Sequence, residues 1–379
     1  MRKTKNEAIR LSKTIPKCTS VLVKDSGHFV LDERVNLTKI IVDSSINPLR
    51  IARKIYDPIN DWRIPSREDI DQTIERQVQP LRILTSPVFI STGLNGRRRF
   101  GLGQIPAKGN NPILFIANHQ FGGIDLGMII AELLQKRGII ARGLAHPFVF
   151  SNFNQQRDST FSETIPNSDF GTFEKFGAVM VTPRNYYRLM ETKQIALLFP
   201  GGVREVFHGR NEAYKLFWPE KVDFVRTAAK FNATVIPISA IGGADSANIF
   251  VDGPDVLKLP FGLGERASNN TRQVRAARYD DDNDELFQPP IALPKPIPAR
   301  HYFLFGRPMS SEGIDYRNKQ ACDSFYSEVK RELERGIEDL LRARSDDPFK
   351  DSFLRISYER LLGKTAPTFP IDKLDSDNA

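Results

Sequence analysis

Residues 113–125 read Ile113-Leu114-Phe115-Ile116-Ala117-Asn118-His119-Gln120-Phe121-Gly122-Gly123-Ile124-Asp125, after which the apolar pattern changes period. The run Ile113-Leu114-Phe115-Ile116 is rich in β-branched and aromatic residues and predicts a short buried strand. From Leu126 the apolar residues Leu126, Ile129, Ile130, Leu133 and Leu134 recur at three- and four-residue steps, which predicts an amphipathic helix. Gly122 and Gly123 supply the turn between the two. In an open α/β sheet, ligands bind outside the carboxyl ends of the strands, so Asn118, His119 and Asp125 stand where a site is expected. A histidine held by a carboxylate can take a proton from an alcohol near neutral pH. Equally, His119 can hydrogen-bond a loop while Asp125 caps the helix. Local spacing leaves both readings open.

Working outward, the same alternation recurs. Phe176-Gly177-Ala178-Val179-Met180-Val181-Thr182 reads as a strand ending in Pro183 and Arg184, and residues 194–199 read as another that runs into Pro200-Gly201-Gly202-Val203-Arg204-Glu205. A helical stretch at 224–230 precedes a strand at 233–238, and Tyr302-Phe303-Leu304-Phe305-Gly306 predicts a last strand. Strands alternating with helices predict an α/β fold, a sheet with helices on its faces. Phe325, Val329, Leu333, Ile337, Leu340 and Leu341 mark the apolar face of a long amphipathic helix near the C-terminus. Upstream, Ile70, Ile74, Val78 and Leu81 predict a helix that gives way near Pro80 and Pro87 to an extended lead-in. Arg97-Arg98-Arg99 is expected to be a solvated loop. The Asn-, Arg-, Asp- and Pro-rich segment at 262–298 is expected to be a mobile excursion from the fold.

Composition narrows the class. With 379 residues there is ample chain for a core. Lys and Arg exceed Asp and Glu by 54 to 46, giving a net charge of +8, which favours anionic ligands only weakly. Two cysteines, Cys18 and Cys322, are too few for a disulfide framework or a zinc site and predict a reducing compartment. Apolar runs are interrupted well short of the roughly 20 residues needed to span a bilayer, so any membrane contact is expected to be peripheral. The N-terminus is basic but shows neither a secretory apolar core nor a clear transit peptide. Phenylalanine, at 26 against 9 Tyr and 2 Trp, suits a lipid-facing cleft or an ordinary core.

Pro200-Gly201-Gly202 can bring backbone N–H groups close to a ligand oxygen. With Arg204 it could steady an oxyanion, or it can be a tight strand-to-helix turn. It is not a phosphate-binding P-loop, because no Gly-Lys-Ser/Thr follows.

In this order, Asn118-His119 with Asp125, the segment at 177–184, Phe199-Pro200-Gly201-Gly202-Val203-Arg204-Glu205 and Val235-Ile236-Pro237-Ile238 resemble the glycerolipid acyltransferase superfamily. The further run Glu212-Ala213-Tyr214-Lys215-Leu216-Phe217-Trp218-Pro219-Glu220 resembles its branch of phytyl ester synthases, related to the type 2 diacylglycerol acyltransferases. The resemblance covers roughly residues 80–358. It implies that His119 is the general base and Asp125 its orienting partner. Asn118, Arg184, Pro200, Gly201, Gly202, Arg204 and Glu205 would lie at the acyl and acceptor site. It implies an O-acyltransferase with no metal or bound cofactor, using acyl-CoA or acyl carrier protein as donor and phytol or diacylglycerol as acceptor. A membrane or lipid-droplet surface is the implied partner, nucleic acid is not, and a plastid, at its thylakoid or plastoglobule surface, is the implied location; the cytoplasmic membrane face is the alternative.

The superfamily's commoner spacing puts four residues between His and Asp, whereas Gln120 to Ile124 make five here, which leaves the role of Asp125 open. Where phosphate-acceptor members carry Pro-Glu-Gly-Thr-Arg, this chain has Gly201 in place of the Glu, so a neutral alcohol is expected. Rival readings are a lysophospholipid acyltransferase, a non-catalytic lipid-binding descendant, and an esterase, the last disfavoured because no Gly-x-Ser-x-Gly elbow occurs.

The expected domains are a remnant of an α/β-hydrolase end at 1–45, with Asp25-Ser26-Gly27-His28 as its stranded turn, and a connecting helical segment at 46–92. The acyltransferase domain follows at 93–345, then a C-terminal tail at 346–379.

Overall fold

The computed structural model describes residues 56–146, 149–150, 171–219, 223–266, 289–350 and 352–375. The chain divides into two compact units, Met1–Asp57 and Pro58–Ala379. The expected hydrolase remnant, with its turn at His28, lies outside the described residues.

Among the described residues the larger unit is built on a nine-stranded mixed sheet. Its strands are β1 (Val88–Thr92), β2 (Arg98–Phe100), β3 (Ile113–Ala117), β4 (Arg142–Ala145), β5 (Val179–Met180), β6 (Ile195–Leu198), β7 (Thr234–Ile241), β10 (Tyr302–Phe305) and β11 (Met309–Ser310). Strand order runs β2-β1-β10-β7-β3-β6-β4-β5, with β11 pairing on β7. β3 is central and parallel to both neighbours: Phe115 lies opposite Leu197 on β6 and Ile236 on β7. All five of its residues are buried, which is why it reads as an unbroken apolar run rather than an alternating one. A separate two-stranded sheet pairs β8 (Ala247–Val251) with β9 (Ile291–Pro294).

Alternate strand residues enter two cores, because side chains along a strand point to opposite faces. Leu114, Ile116, Val235 and Leu304 face one side, against Val329, Leu333 and Ile337 of the long helix Lys319–Arg344. Phe115, Ile236, Phe303 and Phe305 face the other, against Leu126, Met128, Ile129 and Leu133 of the helix Asp125–Arg137. The α/β class and the long C-terminal amphipathic helix are as expected. Phe89 stacks on Phe303 at 4.9 Å, and Phe115 meets Phe305 edge-on at 5.8 Å, so much of the phenylalanine serves the core. The long helix lies close on the sheet: a Cβ on Gly336 would come within 2.2 Å of Ser239 Oγ, and that hydroxyl donates to Leu333 O at 2.7 Å.

Several expectations need correcting. The sheet begins at Val88 rather than after residue 93, and the segment assigned to the tail returns to the core. Phe369 is buried there, while Asp347 accepts from Arg300, Tyr302 and Thr368. The upstream helix does not stop at Pro80. A π-helical turn, Ile74–Val78, joins Arg67–Thr73 to Gln79–Thr85, placing Pro80 in a first turn where its missing N–H costs least. Arg98 is not solvated loop but a strand residue paired with Asp339 at 2.6 Å. Residues 291–294, inside the expected excursion, form β9. The strand around Val179 is only two residues long because Thr182, accepting from Asn185 N at 3.1 Å, starts a helix at Pro183.

Candidate active site

Asn118 and His119 leave the carboxyl end of β3. Asn118 is buried: its amide donates to Ala240 O at 2.9 Å and accepts from Ala240 N at 2.8 Å, tying β3 to β7. It holds the strand end at the rim of the site. The chain then turns through Phe121–Gly123, with Gly122 at φ 75° and Gly123 at φ 69°. These left-handed conformations suit glycine and take up the fifth intervening residue. Asp125 is therefore brought back under the imidazole, its oxygens 3.0 and 3.1 Å from His119 Nδ1.

Asp125 is fully buried and also accepts from Gln120 N at 3.0 Å. It is the first residue of its helix and makes no capping bond, so it holds the histidine instead of capping. With Nδ1 donating to that carboxylate, Nε2 carries the lone pair. The His119 side chain remains 16 % exposed and stacks on Phe199 at 4.0 Å.

The glycine turn has the form of a tight strand-to-helix turn, one of the two readings of its sequence. Gly202, at φ 50°, donates its N–H to Phe199 O at 3.0 Å, so that amide is consumed within the turn and does not serve an oxyanion. The strand ends at Leu198, and Pro200 opens the turn. Gly201 is required sterically, since a Cβ there would lie 2.0 Å from Glu205 Cδ. Glu205 points inward: it accepts from His119 N at 2.7 Å and from Phe217 N at 3.0 Å. Burial raises its pKa to about 7, against the opposing pull of those two amides and of His119. Arg204 turns the other way, pairing with Glu212 at 2.5 Å and stacking over Phe217 at 3.9 Å.

Asn118, His119, Gln120, Phe121, Glu205, His208, Tyr214, Lys215 and Ala244 line a small open cleft. Of the residues expected at the site, His119, Asp125, Asn118 and Glu205 are brought together. Pro200, Gly201 and Gly202 do not line the cleft, and of the three Gly201 lies against Glu205. Arg204 and Arg184 do not line the cleft; Arg184 is exposed in the first turn after the edge strand β5. That placement follows from strand order, since β6 and β4 stand between β5 and β3.

Sequence reading missed His208, Gln120 and Tyr214 as site residues. Gln120 bridges Ala240 O and Gly243 N, and Tyr214 donates to Asp245 at 2.5 Å while accepting from Gly242 N at 3.0 Å. Tyr214 sits at φ 63°, an uncommon backbone for a bulky residue and one associated with functional sites. Among the described residues no cluster of His, Cys, Asp or Glu could hold a metal.

Fold and site together define a mixed α/β protein with a carboxylate-held histidine at the end of its central strand. Comparison with known proteins makes the relationship particular. The chain is homologous to phytyl ester synthase 1, chloroplastic, of Arabidopsis thaliana, at 32 % identity over 375 residues, 97 % of this chain and 51 % of that protein. To phytyl ester synthase 2, chloroplastic, of the same plant it is 34 % identical over 373 residues, 96 % of this chain and 51 % of that one. It thus spans about half the length of these relatives. Among solved structures, the 1-acyl-sn-glycerophosphate acyltransferase PlsC of Thermotoga maritima aligns with a TM-score of 0.38 and 14 % identity, over 73 % of this chain and 84 % of that one. No family model matches the chain.

Proposed function

We propose that the protein is an O-acyltransferase that moves a fatty acyl group from an acyl thioester, acyl-CoA or acyl carrier protein, to a neutral lipid alcohol, phytol or diacylglycerol. The products are phytyl esters or triacylglycerol. The observation that carries this reading is the His119–Asp125 pair in the cleft, supported by homology to the two phytyl ester synthases. His119 Nε2 takes the proton of the alcohol as its oxygen attacks the thioester carbon. The tetrahedral adduct collapses with loss of thiolate, and the imidazolium returns the proton to sulfur, leaving ester and free thiol. Asp125 keeps the ring in the productive tautomer and stabilises the imidazolium.

A neutral acceptor is favoured by Arg204, whose guanidinium is already held by Glu212 and Phe217 and so is not offered to a phosphate. The test supplies purified protein with acyl-CoA and, in parallel, phytol, diacylglycerol and lysophosphatidate. Ester from the neutral alcohols is expected; comparable transfer to lysophosphatidate would turn the reading to a lysophospholipid acyltransferase, and no ester at all would end it.

The protein works on a lipid surface in this reading. No described helix is long and apolar enough to cross a membrane. Phe250, Ile291 and Leu293 on the two-stranded sheet, with Leu263 and the almost fully exposed Phe261, present apolar side chains to solvent. That sheet adjoins the segment after the cleft residue His208, through Asp252, which accepts from Arg210 N and Nε at 2.9 and 3.0 Å. Inserting a phenylalanine into lipid is worth about 1.5–3 kcal/mol, so Phe261→Ser should weaken flotation with neutral-lipid vesicles roughly tenfold or more. Unchanged flotation would remove this face from the docking surface. The relatives' chloroplastic designation supports a plastid location, which fractionation of the native protein would check.

A further inference from the structure

His208 lines the same cleft as His119 and takes no part in the proton transfer described above. It is only 6 % exposed. Its Nδ1 lies 2.9 Å from Gly209 O, and because a carbonyl can only accept, Nδ1 carries the hydrogen. Burial lowers the proton affinity of the ring, so it is neutral and Nε2 is a bare acceptor. Nε2 is buried and meets no hydrogen-bond partner among the described residues. Such a group in a native site calls for a partner, and here the partner must bring its own hydrogen. Phe121, two residues beyond His119, meets the imidazole edge-on at 5.2 Å between ring centroids.

We infer that His208 is a donor-binding residue, whose Nε2 accepts a hydrogen bond from the amide N–H of the pantetheine arm nearest the thioester. The inference rests on the acyltransferase reading. The acceptor alcohol has one hydroxyl hydrogen, and that one goes to His119. The acyl chain has none to offer. The pantetheine arm, common to acyl-CoA and acyl carrier protein, carries an N–H two methylene groups from the sulfur. It is the N–H of the acyl donor that lies nearest the reacting carbon.

Two variants separate this role from a structural one. His208→Asn can keep the bond to Gly209 O and loses the acceptor at Nε2; His208→Gln loses the former and can restore the latter. Binding is measured by calorimetry with two non-reactive acyl thioethers of equal length, one built on N-acetylcysteamine and one on butanethiol, which lacks the amide. Wild type should bind the amide-bearing analogue more tightly, by roughly threefold to tenfold for one neutral hydrogen bond. His208→Asn should lose that preference and His208→Gln should recover part of it, with the KM of the alcohol unchanged in both. Equal binding of the two analogues by wild type, or an intact preference in His208→Asn with loss in His208→Gln, would overturn the inference. A rise confined to the alcohol KM would do so as well. Ester formation by wild type is followed separately: its absence with every alcohol counts against the acyltransferase reading, whereas its presence alongside equal binding counts against His208 alone.

Discussion

His119→Ala is expected to lose acyl transfer by about 10² to 10⁴, the usual worth of a positioned general base. The imidazole is the group of the cleft with a free lone pair and a carboxylate behind it: Asp125 sits 3.0 Å from Nδ1, and nothing else described at the site has that pairing. The alanine variant also takes one partner from a fully buried carboxylate, at a cost of about 1–3 kcal/mol. His119→Asn provides the control, because its amide can still donate to Asp125 while the atom corresponding to Nε2 is gone. Both variants should be inactive, and the asparagine protein should melt close to wild type. Ester production at the wild-type rate by either folded variant would rule out His119 as the base.

The second large effect is expected at Glu205, and it falls on stability as much as on activity. Glu205→Ala leaves the N–H groups of His119 and Phe217 without their acceptor, at about 1–3 kcal/mol for each buried amide. It also frees the backbone that sets the histidine, and a displacement of about 1 Å can cost on the order of 10² in rate.

The pH dependence has a definite sign. Burial raises the folded pKa of Glu205 from 4.5 to about 7, so the folded state holds this proton more tightly than the unfolded chain. The stability from that difference is complete below pH 4.5 and is lost as pH rises through 7, amounting to on the order of 3 kcal/mol. Urea unfolding at pH 5, 6, 7 and 8 should therefore show the gap between wild type and Glu205→Ala narrowing as pH rises. A gap that widened toward pH 8 would mean that the carboxylate is stabilised, not penalised, by its surroundings.

Glu205 also shows where reading along the chain stops. In sequence it belongs to Pro-Gly-Gly-x-Arg-Glu, and the family resemblance implies a place at the acyl and acceptor site. In the fold it points inward to backbone amides 86 residues upstream and 12 residues downstream. Gly201 is small because that carboxylate lies against it, a steric demand indistinguishable in sequence from a turn or an oxyanion hole. The neighbouring Arg204 finds Glu212, so both side chains of the motif are partnered within the protein.

What the sequence determined by itself was everything governed by local period and local chemistry. The buried run at Ile113 announced the central strand, the three- and four-residue steps announced the helices after Leu126 and along Phe325 to Leu340, and His119 with Asp125 stood at a strand end where ligands bind. The ordered motifs pointed to phytyl ester synthases, to which the chain is homologous. Tertiary structure alone decided which of those residues meet. Two left-handed glycines closed the long gap between His119 and Asp125, since side-chain distance across a turn depends on its dihedral angles and not on residue count. Strand order carried Arg184 away from β3, and the packing of the segment after Glu205 brought His208 into the cleft. These are long-range consequences of how the sheet is assembled, and no periodicity or spacing encodes them.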